Sequence, residues 1–297
     1  MATVELGSRI FMIPGGVNIG VLRADDGKCV LIDTGLHETS AKKALKAVRE
    51  ELHGEVVAIL TTHAHADHFG GNATVVKRTG ARVYAPAFDE AVLRYPLLQP
   101  ALLFAGADPP ASMRGSFMLA DASPVDEVIT GSHLSVNGFE IDVVSLAGHS
   151  PNQLGFLVEG VFFCADIVLP ESVLEKYRIP YLFSVRDHLA SLDRCSEVEC
   201  AMAMPGHGPL LESIEPLRDL NRALVNEVAT RAIEFAAEWV TAEVLLTRLL
   251  RHFGATASDA PSYYLLHPTV FAFLSFLLDE GKLQHDVRDG ESLWKVK

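Results

Sequence analysis

The sequence is poor in cysteine and in basic residues. Its 297 residues include four cysteines, and no two of them form a Cys-x-x-Cys pair. This disfavours a disulfide scaffold and favours a reduced, cytoplasmic protein. Lysine and arginine total 25 against 38 aspartates and glutamates, so the formal net charge is −13. Because such a chain repels phosphate backbones, nucleic acid is disfavoured as a partner.

Long hydrophobic runs are also lacking. The N-terminal residues do not place a positive segment before an apolar one, as a signal peptide would. We find no apolar stretch of about 18 residues, so we expect no membrane contact. Hydrophobic residues nevertheless make up 49% of the chain. That is enough for a sizeable core in one large domain, or in one domain with an appendage.

Residues 1–212 alternate between strand and helix patterns. Apolar runs at 29–35 and 56–62 predict buried strands that end in polar residues, and 40–52 carries apolar residues at helical spacing. Between about 128 and 165 the pattern changes to consecutive strands. Helices interleaved with strands predict an α/β domain with sheets inside and helices outside.

Residues 213–297 are predicted to form a second, mainly helical domain. A helix is predicted from Pro268 to Gly281, followed by two short strands around a turn at 288–290. A helix cluster that ends in such a hairpin is typical of winged-helix domains. Acidic residues at least equal basic ones here, so we expect a packing module and not a DNA reader. Its partner surface would be the first domain or a second subunit, which leaves a homodimer open.

The stretch TTHAHADHFGG, residues 61–71, predicts a metal site. Residues two apart in an extended segment point to the same side, so His63 and His65 can reach one ion. Asp67 and His68 then fall at a turn and can serve a second ion. Imidazole and carboxylate are ligands for zinc, iron or manganese. The alternative is a hydrated polar loop, and the position after a buried strand argues against it.

Three further strand ends each offer one ligand. His149 follows a strand and a glycine in LAGHSPNQ, and His207 has the same context in AMPGHGP. Asp166 ends the apolar run in FFCADIVLP, where a buried carboxylate is costly unless it is paired or metal-bound. Each signal alone is weak. Together they are hard to explain as coincidence.

The ordered motifs resemble those of the metallo-β-lactamase-fold hydrolases: Thr-His-x-His-x-Asp-His, then Gly-His, Asp and a second Gly-His. The resemblance covers roughly residues 8–210 and implies an αββα sandwich. It also implies that Asp33 orients the metal ligands without binding a metal itself. The implied ligands are His63, His65 and His149 for one metal, Asp67, His68 and His207 for the other, and Asp166 as the bridge between them.

Two positions indicate which members of that fold family the sequence resembles most. Ala64 stands where the flavin-linked diiron relatives carry glutamate, which disfavours oxygen reduction. A bridging aspartate at the position of Asp166 is a feature that the sequence shares with glyoxalase II, the lactonases and the tRNA-processing nucleases. True β-lactamases differ from this chain in that feature. The short helical tail resembles that of β-lactamase-like protein 2.

The resemblance implies a dinuclear metal-dependent hydrolase of a small ester, thioester or lactone. The cofactors would be two divalent ions, with zinc favoured and iron or manganese as alternatives. A hydroxide bridged by the ions would attack the small-molecule substrate. Asp67 would hydrogen-bond this hydroxide and pass a proton to the leaving group, so Asp67 and Asp166 are the expected catalytic carboxylates.

Three alternatives stay open. An RNA phosphodiesterase of the same fold is disfavoured by the acidic composition. A mononuclear iron dioxygenase of persulfides shares much of the motif, and would hold one iron instead of two zinc ions. A non-catalytic binding module would not need to keep seven ligands.

Several other residues are candidates for roles at the site. Cys164 is interpreted as a small buried hydrophobe. Tyr177 and Tyr181 lie in an aromatic-bearing segment predicted to wall the pocket, where either could donate a hydrogen bond to substrate. Residues 97–113 are interpreted as an apolar loop that covers the pocket or a dimer partner. His133, His188, His252, His267 and His285 lack ligand context and are interpreted as ordinary surface or core histidines.

Overall fold

The first sheet holds seven strands in sequential order. A computed structural model of the chain describes residues 3–297. The first four strands pair antiparallel, and the last four pair parallel because helical crossovers join them. The strands are β1 (Val4–Glu5), β2 (Ile10–Ile13), β3 (Ile19–Arg23), β4 (Lys28–Ile32), β5 (Glu55–Leu60), β6 (Arg82–Pro86) and β7 (Glu127–Ile129).

Helices cover the outer face of this sheet. Ala41, Ala44 and Val48 form the apolar stripe of the first helix and are buried against Leu31 and Ile59 of the sheet. The third helix ends at a glycine in a left-handed conformation. The helices are α1 (Glu38–Glu50), α2 (Ala66–Phe69), α3 (Asn72–Thr79), α4 (Asp89–Arg94) and α5 (Leu98–Leu103).

The second sheet has five strands, in the order β12-β11-β10-β9-β8. Strands β11 and β12 pair parallel and the others antiparallel. Two helices lie in the crossover between β11 and β12. The elements are β8 (His133–Val136), β9 (Phe139–Ser145), β10 (Leu154–Val158), β11 (Val161–Ala165), α6 (Glu171–Tyr177), α7 (Val185–Arg194) and β12 (Met202–Pro205).

The two sheets pack face to face. Leu22 and Ile32 from the first sheet share one buried cluster with Phe139, Phe156 and Phe163 from the second. On the outer face of the second sheet, a separate cluster includes side chains of α7. Helices therefore flank two stacked sheets, and the predicted αββα sandwich is confirmed.

The C-terminal part contains three helices and a hairpin: α8 (Glu215–Phe235), α9 (Ala242–Phe253), α10 (Ala260–Asp279), β13 (Leu283–Arg288) and β14 (Glu291–Val296). The mainly helical tail with a terminal hairpin is thus present as predicted. Its apolar core also contains Ile179 and Leu182, from the segment between α6 and α7, and Val185, the first residue of α7. The tail and the sandwich therefore share a core.

Helix α10 corrects two predictions. It begins at Ala260 and continues through Pro268, where the sequence pattern placed its start. Asp259 and Ser262 form a reciprocal cap that defines the true N-terminus. By length and composition α10 could also cross a membrane, so the expectation that no such stretch exists was wrong. Phe273 and Leu274 of this helix are fully buried in the shared core.

The segment 97–113 is partly helical instead of a loop. It contains α5 and a 3₁₀ turn at Ala111–Met113. Leu103 and Met113 are buried in a small cluster with Tyr264 and Leu265 of α10. This segment consequently covers part of the C-terminal domain.

Candidate metal centre

The seven predicted ligands lie together at one end of the sandwich. His63 and His65 follow β5, and Asp67 and His68 lie on the short helix α2. The loop between β9 and β10 carries His149. Asp166 follows β11 directly, and His207 follows β12. Strand ends that are far apart in sequence thus contribute to one cluster.

His63, His65 and His149 form the first triad. The His65 Nδ1 atom lies 3.0 Å from His63 Nε2 and 2.9 Å from His149 Nε2. One nitrogen from each ring lies within 4.8 Å of the others, a spacing that could hold a metal ion.

Asp67, His68 and His207 form the second triad, whose potential ligand atoms also lie within 4.8 Å of one another. Asp166 lies between the triads. Its carboxylate is 3.3 Å from His68 Nε2, 3.3 Å from His207 Nε2 and 3.6 Å from His149 Nε2. One carboxylate therefore contacts both halves of the cluster.

Outer hydrogen bonds orient four of the histidine rings. His68 Nδ1 lies 2.8 Å from Asp33 Oδ2, and the Thr62 hydroxyl donates to the same oxygen at 2.8 Å. Because this hydroxyl is already a donor to Asp33, it accepts from His63 Nδ1, 3.0 Å away. Asp33 therefore supports both triads, as the resemblance implied. With Nδ1 hydrogen-bonded on its outer side, each ring directs Nε2 toward the cluster.

The other two rings donate to main-chain carbonyls. His149 Nδ1 lies 3.2 Å from the Tyr181 carbonyl oxygen, and His207 Nδ1 lies 2.6 Å from that of Gly16. These contacts also leave Nε2 facing inward. The sequence motifs did not indicate Gly16 or the Tyr181 carbonyl, because both approach from segments remote along the chain.

The two triads differ in protonation. Burial lowers the pKa of His65 to about 4 and that of His149 to about 3. In His207 burial also opposes the charge, but Asp166 and Asp67 raise the pKa to about 10. The pKa of His68 is raised for a similar reason, by Asp166 and Asp33 against the effect of burial. The first triad is thus neutral at pH 7, whereas a metal at the second triad must displace protons.

Two buried atoms favour a bound cation. His68 Nε2 and Asp166 Oδ1 have no hydrogen-bond partner within residues 3–297, although they are only 3.3 Å apart. An unpaired carboxylate oxygen is costly in such a buried position. The donor set of imidazoles and carboxylates suits a divalent transition metal. The residues present therefore fit the metals that the sequence predicted.

Asp89 is a supporting residue that the sequence motifs did not reveal. It is 1% exposed and follows β6. One carboxylate oxygen accepts from Ala64 N and the other from Asn152 N, both at 2.9 Å. It therefore connects the loop of His63 and His65 to the loop of His149. A lone aspartate after a strand was its only sequence signal.

The structure distinguishes the other residues that the sequence offered as candidates by their burial and their distance from the cluster. The Tyr181 ring lies 5.4 Å from that of His65, and burial raises its pKa to about 12. Tyr177 is 42% exposed. Cys164 is fully buried, and burial raises the pKa of its thiol well above its usual range, in keeping with a small hydrophobe. Burial lowers the pKa of His188 to about 3, so it is a neutral core histidine.

A cavity of about 600 Å³ opens beside the cluster. Asp67 and His207 form part of its wall, so the second triad faces the space that a ligand could enter. The other walls come from the β2–β3 turn, from α1 and from Phe117. The volume is in the range of small-molecule sites.

A sequence model of the metallo-β-lactamase superfamily matches residues 12–207, the span that contains this cluster. The chain belongs to the metallo-β-lactamase superfamily. The match covers the αββα sandwich and ends at His207, the last of the seven predicted ligands. The chain is accordingly a metal-dependent hydrolase of this superfamily.

Relatives in this superfamily are distant. The probable metallo-hydrolase YqgX of Bacillus subtilis (strain 168) is 28% identical over 200 residues, which span 62% of this chain and 82% of YqgX. The β-lactamase-like protein 2 homolog of Caenorhabditis elegans is 23% identical over 63% of this chain, and only 54% of its length is matched. A hydroxyacylglutathione hydrolase of Shewanella pealeana is 27% identical over 37% of this chain and 32% of its own.

The likeness to a solved metallo-β-lactamase family structure extends through the tail. The family protein from Thermus thermophilus superposes with a TM-score of 0.75 over 99% of this chain and 100% of that chain, at 20% identity. At this identity the likeness concerns the fold alone.

Proposed function

We propose that the chain is a dinuclear hydrolase of a small ester, thioester or lactone. One observation carries the proposal: Asp166 contacts His149 of the first triad and both His68 and His207 of the second. The iron dioxygenase alternative shares much of the motif but would hold one iron. The second triad offers a place for a second ion, which favours the dinuclear hydrolase.

Each part of the cluster has a proposed role. The two triads would hold one ion each, and Asp166 contacts histidines of both triads. Bound divalent ions supply Lewis acidity, which activates water and polarises the substrate oxygen. Asp67 lines the cavity with a side chain that is 18% exposed, so it can accept a proton and deliver it to the leaving group.

The cavity supports a small substrate over a nucleic acid. Its charged lining includes Lys43 and Lys46, but also Glu50 and Glu51. A phosphate backbone needs an excess of positive charge along its path. The relatives include enzymes named hydroxyacylglutathione hydrolase, whose name describes cleavage of an acyl thioester. The mixed charge of the lining disfavours a nucleic acid, and the name of these relatives favours acyl chemistry.

Metal analysis and one aspartate variant test the proposal. Protein purified without chelator should contain about two divalent ions per chain, and His68→Ala should lose about one of them. Asp67→Asn should lower kcat on a thioester or lactone by roughly 10²- to 10⁴-fold, the usual range for a proton-transfer group.

Cys164→Ala is the matched control, because the thiol is buried two residues before Asp166 and is not part of the predicted ligand set. It should keep both the metals and the activity. A stoichiometry near one ion that His68→Ala leaves unchanged would overturn the dinuclear proposal. Activity that disappears in Cys164→Ala at normal metal content would overturn the mechanism.

A further inference from the structure

The cavity beside the metal centre is a groove between α1 and the β2–β3 turn. Its metal-facing end is formed by Asp67 and His207, and Phe117 forms part of its rim. We call this space the groove. The proposed hydrolysis involves only the end of the groove that Asp67 and His207 form. The rest of the groove has no role in that chemistry.

The groove is mainly apolar. Ile13, Val17 and Ile19 contribute to the lining, as does Leu36, two residues before α1. Phe117 is 50% exposed at the rim. A ligand that covers this half-exposed aromatic ring removes apolar surface from water, which favours binding. The walls therefore suit an apolar chain.

One face of α1 forms the floor. Ser40, Lys43, Ala47 and Glu50 recur every three or four residues, so the same side of the helix meets the groove along its length. Lys46 on this face lies 3.7 Å from Glu50. Lys43 makes no ion pair within residues 3–297. Among the described residues, Lys43 is therefore a lysine of the groove lining that has no ion-pair partner and is available to a ligand.

Helix geometry gives the distance from the start of α1 to Lys43. The start of α1 adjoins the ligand-bearing loop, since a Cβ on Gly70 would lie 2.1 Å from the Leu36 carbonyl oxygen. Lys43 lies six residues beyond His37, which corresponds to about 9 Å along the helix axis. Because Asp67, His207 and Lys43 line the same groove, a chain of medium length could extend from the end at Asp67 and His207 along α1 toward Lys43.

We propose that the groove is the specificity subsite of this enzyme and that it binds an apolar chain ending in one anionic group, which Lys43 contacts. This inference rests on the proposed function, because it assigns the substrate class of the same site. The predicted substrates are acyl esters or thioesters with a carboxylate or a similar anion at the far end. Glu50 and Glu51 beyond Lys43 disfavour a second negative charge further out.

Binding of two simple ligands tests the proposal without relying on turnover. Octanoate and suberate have the same chain length, and each can place one carboxylate at the metals. Only suberate carries a second carboxylate for Lys43. Calorimetric titration of the metal-loaded protein should show suberate binding roughly three- to five-fold more tightly, as expected for one exposed ion pair.

Three variants separate the contributions. Lys43→Gln should abolish the preference for suberate. Lys42→Gln should keep it, because Lys42 is also exposed on α1 but pairs with Glu38 and does not line the groove. Phe117→Ala should weaken both ligands to a similar degree. If neither ligand binds, or if the preference persists in Lys43→Gln, the proposal is overturned.

Failure of the two proposals is distinguishable. Hydrolysis of neutral acyl esters together with equal binding of octanoate and suberate would refute the subsite and leave the proposed function standing. A preference for suberate that depends on Lys43, in a protein that hydrolyses no ester, thioester or lactone, would refute the proposed function and leave the subsite standing.

Discussion

Asp89 illustrates how single residues set the geometry of the centre. Its two oxygens accept main-chain N–H groups from Ala64 and Asn152, which lie in two different ligand-bearing loops. Neither contact involves a metal ligand directly. The carboxylate therefore acts as a positioning residue, because it determines how closely the His149 loop approaches His63 and His65.

Replacing this residue should weaken metal binding. Asp89→Ala leaves two buried N–H groups without acceptors, at a cost of about 1–3 kcal/mol each in the free energy of unfolding. Loosening of the first triad should lower metal affinity by about 10- to 100-fold, the usual effect of losing an outer-shell partner. Chelator competition measures the affinity, and thermal melting measures the stability.

Asp126→Ala is the matched control for that variant. Asp126 also accepts a main-chain N–H, from Val83 at 2.7 Å, but it connects neighbouring strands away from the ligands. It should lower stability without changing metal affinity. Equal metal affinity in Asp89→Ala and the parent protein would contradict the positioning role.

At the scale of elements, the loops after the strands are shaped by close backbone approaches. Gly206, after β12, donates its N–H to the Ala165 carbonyl and accepts from Asn18 N, both at 2.8 Å. A Cβ at this position would lie 2.2 Å from Asp166 Oδ1 and 2.8 Å from His68 Cε1. The glycine therefore allows the His207 loop to reach the bridging carboxylate.

Gly206→Ala should consequently disrupt the centre more than the fold. The added methyl group must displace Asp166 or the His207 loop, and a displacement of this kind can cost about 100-fold in rate. We expect a similar loss of kcat and fewer than two bound ions at a nearly unchanged melting temperature. Gly115→Ala, where no atom lies within 4 Å of the new Cβ, is the control. Full activity in Gly206→Ala would show that Asp166 does not need its observed position.

At the scale of the whole molecule, the C-terminal domain packs against a segment that contacts the candidate metal centre. Ile179, Leu182 and Val185 are buried in the core of the tail. Leu182 N also lies 3.4 Å from the Thr269 hydroxyl of α10. This segment contains Tyr181, whose carbonyl oxygen accepts from His149. The tail is therefore connected to the metal centre through one short segment.

Deletion of residues 213–297 should lower both stability and activity. Three large apolar side chains would become exposed, at about 1.5–3 kcal/mol each, so the melting temperature should fall by at least about 5 °C. Turnover should fall because the support for His149 is lost. Differential scanning fluorimetry and a thioester assay measure the two effects.

An unchanged melting temperature and activity in the truncated protein would contradict the packing role of the tail. The full-length protein provides a second check. Duplex DNA binding at physiological ionic strength that weakens with added salt would show that the tail is a DNA reader, contrary to the prediction from its charge.

The sequence by itself predicted the candidate ligands and determined the layered fold, for local reasons. The run VVAILTT followed by HAHADH contains a buried strand and its polar end within thirteen residues. Apolar periodicity distinguishes helix from strand over similarly short windows. Helix α10 shows the limit of such signals. The Asp259–Ser262 cap was present in the sequence, but Pro268 inside the helix suggested a later start.

Only the tertiary structure decided what surrounds the ligands. The Gly16 carbonyl meets His207 across 191 positions, and Asp89 meets Asn152 across 63. The groove exists because α1, the β2–β3 turn and Phe117 converge there. These partners are main-chain groups and ordinary side chains with no distinctive local pattern. Their roles arise from the packing of two sheets and a tail, which no short stretch of sequence records.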